Sequence, residues 1–147
     1  MPRRLISSGS SFERDIGYSR AVVVGNHVGN HVGNHVGNHM GNHAFVSGTT
    51  GFDYTTMTIS DDVATQTEQC LRNIEAALRE AGASMRDVVR VRYILPNAAD
   101  FPATWPALRA AFGDIRPAAT MIEAGLADPR MKIEIEVTAR CAVAANG

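Results

Sequence analysis

The sequence is short of the residues that most often carry chemistry. It has two cysteines, Cys70 and Cys141, far below the density of a fold built on disulfides. Lysine occurs once, at Lys132, against thirteen arginines, so a Schiff-base lysine would have to be that residue. All five histidines fall between His27 and His43, which argues against a Ser-His-Asp triad built elsewhere in the chain. No apolar run approaches the roughly 18 to 20 residues that span a bilayer. Arg3 and Arg4 are not followed by the apolar stretch of a secretion signal. Neither charge is in excess: 14 basic side chains face 15 acidic ones, for a net charge near −1. Nucleic-acid affinity rests largely on a cationic surface, and this balance argues against one. There is no phosphate loop, no Gly-x-Ser-x-Gly elbow, no CxxC and no HExxH. These absences predict a soluble, cytoplasmic protein that binds neither nucleic acid nor membrane, with no cofactor and no metal.

At 147 residues and 45% apolar composition, the chain suits one domain, 1–147, with a core of ordinary size. Its most conspicuous feature is a tetrapeptide, Val-Gly-Asn-His, repeated without a break from Val24 to His43, the last copy beginning with Met40. Stacked repeat folds use units of about 20 residues or more, so this is an expanded loop. The flanks, Ala21-Val22-Val23 and Ala44-Phe45-Val46, read as strands, and Gly-Asn is a good hairpin turn. The five copies centre on Gly33-Asn34. A turn there pairs Val24 with His43 and Val22 with Phe45, the same flank register that a single copy would set. The expansion is either a protruding hairpin or a loose loop. His27, His31, His35, His39 and His43 lie about 13 Å apart along a strand, too far to share an ion.

The remaining chain alternates between two periodicities. From Ser60 to Ala81 the stripe Thr67, Cys70, Leu71, Ile74, Ala77, Leu78 and Ala81 predicts a helix that buries Cys70. Ser60 or Asp61 can cap its start, and Gly82 ends it. Val88–Leu95 predicts a strand with Val89, Val91, Tyr93 and Leu95 on one face and Arg90, Arg92 and Ile94 on the other. Phe101–Phe112 predicts a second helix with Trp105, Leu108 and Phe112 inward. Ala118–Ala124 and Met131–Cys141 predict two more strands. The fold class is α+β, with two helices on one face of a sheet. So many apolar strand residues on an open sheet argue for a homo-oligomer in which sheet faces meet.

Polar residues on or beside strands are the candidates for chemistry: Tyr18, Ser47, Arg90, Arg92, Glu123, Glu134 and Glu136. Glu134 and Glu136 share one face of a strand otherwise rich in Ile and Val. A carboxyl held against apolar neighbours has a raised pKa and can shuttle protons.

Five segments, Gly17-Tyr18-Ser19, Phe45-Val46-Ser47-Gly48, Asp87-Val88-Val89-Arg90, Arg116-Pro117-Ala118 and Lys132-Ile133-Glu134-Ile135-Glu136, stand in an order and spacing that resembles the Rid (YjgF) family. The same family is often labelled endoribonuclease L-PSP. The resemblance covers residues 15–141 once four repeat copies are set aside. It implies a chorismate-mutase-like, ferredoxin-like α+β fold and a homotrimer with clefts between subunits. It also implies hydrolysis of reactive enamines and imines, with a non-catalytic metabolite- or protein-binding role as the alternative and ribonuclease activity as a weaker one.

Tyr18 and Glu134 match the family's catalytic tyrosine and water-positioning glutamate, and Ser47 and Gly48 match its cleft-lining pair. Ala119, Thr120 and Glu123 fall in its substrate-binding stretch. The family's carboxylate-binding arginine is missing, because its position is Ala119. Met121 and Trp105 stand where a cysteine and an asparagine are usual, and no proline precedes Tyr18. The chain thus resembles an arginine-lacking branch. Of the two arginines that could replace the anchor, Arg92 is favoured over Arg116, because a strand side chain can point into a cleft.

Overall fold

The computed structural model of the protein describes residues 3–25 and 42–141. Eleven helices and strands follow in order: β1 (Arg3–Ile6), α1 (Ser11–Ile16), β2 (Ala21–Val24), β3 (His43–Thr50), β4 (Phe52–Asp53), β5 (Thr58–Ile59), α2 (Val63–Glu80), β6 (Val88–Leu95), α3 (Phe101–Phe112), β7 (Ala118–Glu123) and β8 (Glu134–Arg140). Six strands form one mixed sheet in the order β1-β2-β3-β8-β6-β7. All neighbours are antiparallel except β6 and β7, which α3 joins as a parallel crossover.

The centre of the repeat lies outside the described residues, and so do all its histidines except His43. Its base does not. Val22 pairs with Phe45 and Val24 with His43, as an odd number of copies predicts.

Helix α2 follows its predicted stripe. Cys70, Ile74, Ala77 and Leu78 are buried against Val46, Val91, Ile135 and Val137 of the sheet. The cap is Asp62 rather than Ser60 or Asp61: its carboxylate accepts from the Thr65 N–H at 2.8 Å. Cys70 donates to the Thr49 carbonyl, and burial pushes its thiol far above the ordinary range, so it is a core group and not a nucleophile.

Three features depart from the expected pattern. Helix α3 buries Leu108 and Phe112 as predicted, but Trp105 is 48% exposed and Thr104 is buried beside them. A register shift between Val88 and Arg90 buries Val88 and turns Val89 outward. Four elements come in addition, β1, α1 and the short paired strands β4 and β5. Strand β1 extends the sheet, and α1 is a short helix capped by Ser10 and closed by Gly17 at φ 90°.

The register divides the sheet into two faces. Ile6, Ala21, Val46, Val137 and Val91 line up across five strands on the helix-covered side. The next row, Leu5, Val22, Phe45, Thr138, Arg90 and Ala118, lies on the opposite side, where Leu5 and Phe45 are about half exposed. Among the described residues no helix is long and apolar enough to cross a membrane.

Candidate functional site

Strand β3 is interrupted where the chemistry gathers. Val46 pairs with Val137 and Thr49 with Ile135, so Ser47 and Gly48 together oppose the single residue Glu136. This two-against-one bulge re-aims the strand. It also opens space beside β8, where alternation turns Glu134 and Glu136 to the face away from the helices. Gly48 is required by its neighbour. A Cβ there would come within 2.7 Å of the Glu134 carboxyl carbon and 2.9 Å of one of its oxygens.

Around this point is a cleft of about 420 Å³ lined by Phe12, Ile16, Tyr18, Ser47, Gly48, Thr50, Tyr54, Ala127, Met131, Glu134 and Glu136. Burial raises the pKa of the Glu134 carboxyl, and the negative charge of Glu136 adds to the rise; Arg20 offsets part of it. The Thr50 hydroxyl is buried in the lining and has no partner among the described residues. The Ser47 hydroxyl is already committed, donating to the Ser19 carbonyl at 2.6 Å.

Behind the lining lies Arg20, 1% exposed. Its Nη1 donates to the Gly48 carbonyl at 2.9 Å and to Thr49 Oγ1 at 3.1 Å. Its Nη2 donates to the Tyr18 hydroxyl at 3.1 Å and lies 3.4 Å from the Glu13 carboxylate. The guanidinium also stacks on Tyr54, 4.5 Å from the ring centroid. Guanidinium only donates, so Tyr18 accepts here and keeps its own O–H for another acceptor. Burial alone would raise the pKa of Glu13. Hydrogen bonds from Ser8 and Ser7 and the Arg20 charge outweigh that, and the carboxyl ends below its ordinary value. Arg20 is not among the candidates that the sequence pattern singles out. Its signal was weak: one arginine opening an apolar strand two residues after Tyr18.

Five of the predicted residues therefore meet at one cleft: Tyr18, Ser47, Gly48, Glu134 and Glu136. The others do not join them within the chain. Arg92 pairs with Glu136 in register, and its Nη1 is 2.8 Å from that carboxylate, so it flanks the cleft from a neighbouring groove. Arg116 is also elsewhere: it sits in the left-handed region at φ 52° and donates to the Gly113 carbonyl. Thr120 is beside Arg92 on β7. Ala119, beside buried Val91, falls on the other side of the sheet and lines an apolar groove with Tyr93, Trp105 and Phe112. Glu123, opposite Leu95 at the end of β7, is exposed. Alternation separates Ala119 from Glu134: a side chain on β7 can share a face with Glu134 only at the positions of Ala118, Thr120 and Ile122.

A mixed sheet of this order, bearing a bulge over a half-buried glutamate, defines an α+β class whose cleft lies on the sheet face away from α2. Within that class the chain belongs to the Endoribonuclease L-PSP family, whose model matches residues 32–141. It is 36% identical to a RutC family protein of Pyrococcus abyssi over 83% of this chain and 84% of the relative. It is 27% identical to a 2-iminobutanoate/2-iminopropanoate deaminase of Dermatophagoides farinae over 92% and 94% of the two chains. A crystal structure of a member of the YjgF/YER057c/UK114 family from Mycobacterium tuberculosis superposes with a TM-score of 0.76 at 37% identity, covering 95% of this chain and 99% of the other.

Proposed function

We propose that this protein hydrolyses the C=N bond of small reactive imines, or of enamines through their imine form, in clefts completed between subunits of a homotrimer. The observation that carries the proposal is the Glu134 carboxyl: half-buried, raised in pKa, and seated over Gly48 in a cleft that also holds Tyr18. Such a group can take up and release a proton within the cleft. Glu134 takes a proton from water as the water oxygen bonds to the imine carbon, and passes it to nitrogen. It then relays the hydroxyl proton of the carbinolamine to the departing nitrogen. The C–N bond breaks, ammonia leaves and a carbonyl remains. Tyr18, with its oxygen held by Arg20, donates to the substrate.

The trimer is supported by the apolar residues left on the open face, with Leu5, Phe45 and Ile122 all exposed. Ala119 stands where the resemblance calls for a carboxylate-binding arginine, so the branch is one that lacks it. That loss also favours a second reading, a non-catalytic binder of small metabolites on the same scaffold.

Short-lived imines generated in situ from several amino acids and amines test the proposal. Carbonyl release should be accelerated by the wild type and fall about 10²- to 10⁴-fold in Glu134→Gln, the usual worth of a positioned acid–base group. Gly48→Ala should fold yet lose most activity, because its methyl displaces the carboxyl. No acceleration over buffer on any imine would put the binder ahead.

A further inference from the structure

The charges around the cleft can be matched one by one. Three arginines stand behind or beside its lining, and each is paired with its own carboxylate. Arg20 faces Glu13 at 3.4 Å, Arg92 faces Glu136 at 2.8 Å, and Arg130, next to the lining residue Met131, faces Asp128 at 2.7 Å. Arg90 lies one row further along the sheet, beside Thr138 and outside the lining. Among the described residues no arginine or lysine lines the cleft, and Glu134 has neither an ion-pair nor a side-chain hydrogen-bond partner. Within one chain's share of the cleft, an entering carboxylate would meet another carboxylate and no free cation. A cation would meet Glu134. The rest of the lining includes Phe12, Ile16 and Met131, which suit an uncharged hydrocarbon body.

We propose that the cleft selects a carboxylate-free substrate carrying positive charge, the iminium form of a small aliphatic or aralkyl imine, over an anionic imino acid. The proposal rests on the hydrolase reading of the same cleft. The reaction is R₂C=NH₂⁺ + H₂O → R₂C=O + NH₄⁺, which needs no further reactant. Glu134 stabilises the iminium on entry and then takes the proton of the attacking water. Class recognition comes from one unpaired acid, since the neighbouring charges cancel within the protein.

Two imines of matched skeleton separate the possibilities. One is made in situ by an amine oxidase from phenethylamine, the other by an amino-acid oxidase from phenylalanine, each followed with and without the protein. The expected result is at least tenfold greater acceleration for the amine-derived imine. Equal or greater acceleration of the carboxylate-bearing imine overturns the proposal. If neither is accelerated, the hydrolase reading fails, and binding of unreactive probes still decides the charge preference. Phenethylammonium should bind at least tenfold more tightly than phenylacetate by calorimetry, and Glu134→Gln should abolish that difference. Tighter binding of phenylacetate, a preference that survives Glu134→Gln, or no binding of either probe overturns it.

Discussion

Glu134 combines a functional placement with a cost in stability. Its carboxyl ionises less readily in the folded chain than in the unfolded one, because burial and Glu136 both oppose the charge. A group with a raised folded pKa contributes stability that is complete below its unfolded value and is lost as pH rises through the folded value. Glu134→Gln removes that pH-dependent loss. The variant should therefore melt a few degrees above the wild type at pH 7 to 8, at about 2–4 °C per kcal/mol for a chain near this size. The difference should shrink toward zero below about pH 4, near the unfolded carboxyl pKa. Calorimetric melting across pH checks this, and a wild type that is the more stable at pH 8 would contradict it. Glu134 was legible in the sequence because strict alternation along β8 exposes every second residue. Arg20 was not, since its burial depends on Glu13 from α1 and on Tyr54 beyond β4, contacts that no local pattern encodes.

At the scale of elements, the site depends on how α2 meets the two central strands. Gln66, fully buried near the start of α2, donates to the Ser60 and Arg130 carbonyls at 2.6 and 2.8 Å and accepts from the Lys132 N–H at 2.9 Å. All three bonds tie the helix to segments that lead into α2 and β8, and so fix the approach to Glu134. Gly51 lets β3 pass close to the same residue, for a Cβ there would come within 2.6 Å of the Gln66 Cα. Backbone cannot step aside as a side-chain tip can, so Gly51→Ala should cost about 1–3 kcal/mol. Urea unfolding should show the midpoint falling with little change in slope. Element types were readable from periodicity, and α1 left a trace in Ser10 and Gly17. The bulge at Ser47–Gly48 and the shift at Val88 left none, because each arises from pairing with β8.

For the whole molecule, the open sheet face is the decisive surface. It sets Leu5, Phe45 and Ile122 near a row of charged and polar groups, Arg90, Arg92, Glu136 and Thr138. If this face closes a trimer, Phe45→Glu should leave the core intact, since Phe45 points away from it, and reduce the mass measured by light scattering to that of a smaller species. An unchanged trimer mass would move the interface elsewhere. A wild-type mass of one chain would remove the assembly from the proposal.

The amino-acid order alone determined the α+β class, the path of α2 and the alternation of β8. It also determined the pairing of Val22 with Phe45 across an inserted repeat, because each of these is set by a period or by a count of residues. Only the tertiary structure decided which polar groups share a cleft. Faces across a sheet follow from register and bulges between distant strands, and these direct Ala119 away from Glu134, pair Arg92 with Glu136 and bury Arg20 behind Tyr18. Such neighbours are brought together by folding rather than by proximity along the chain.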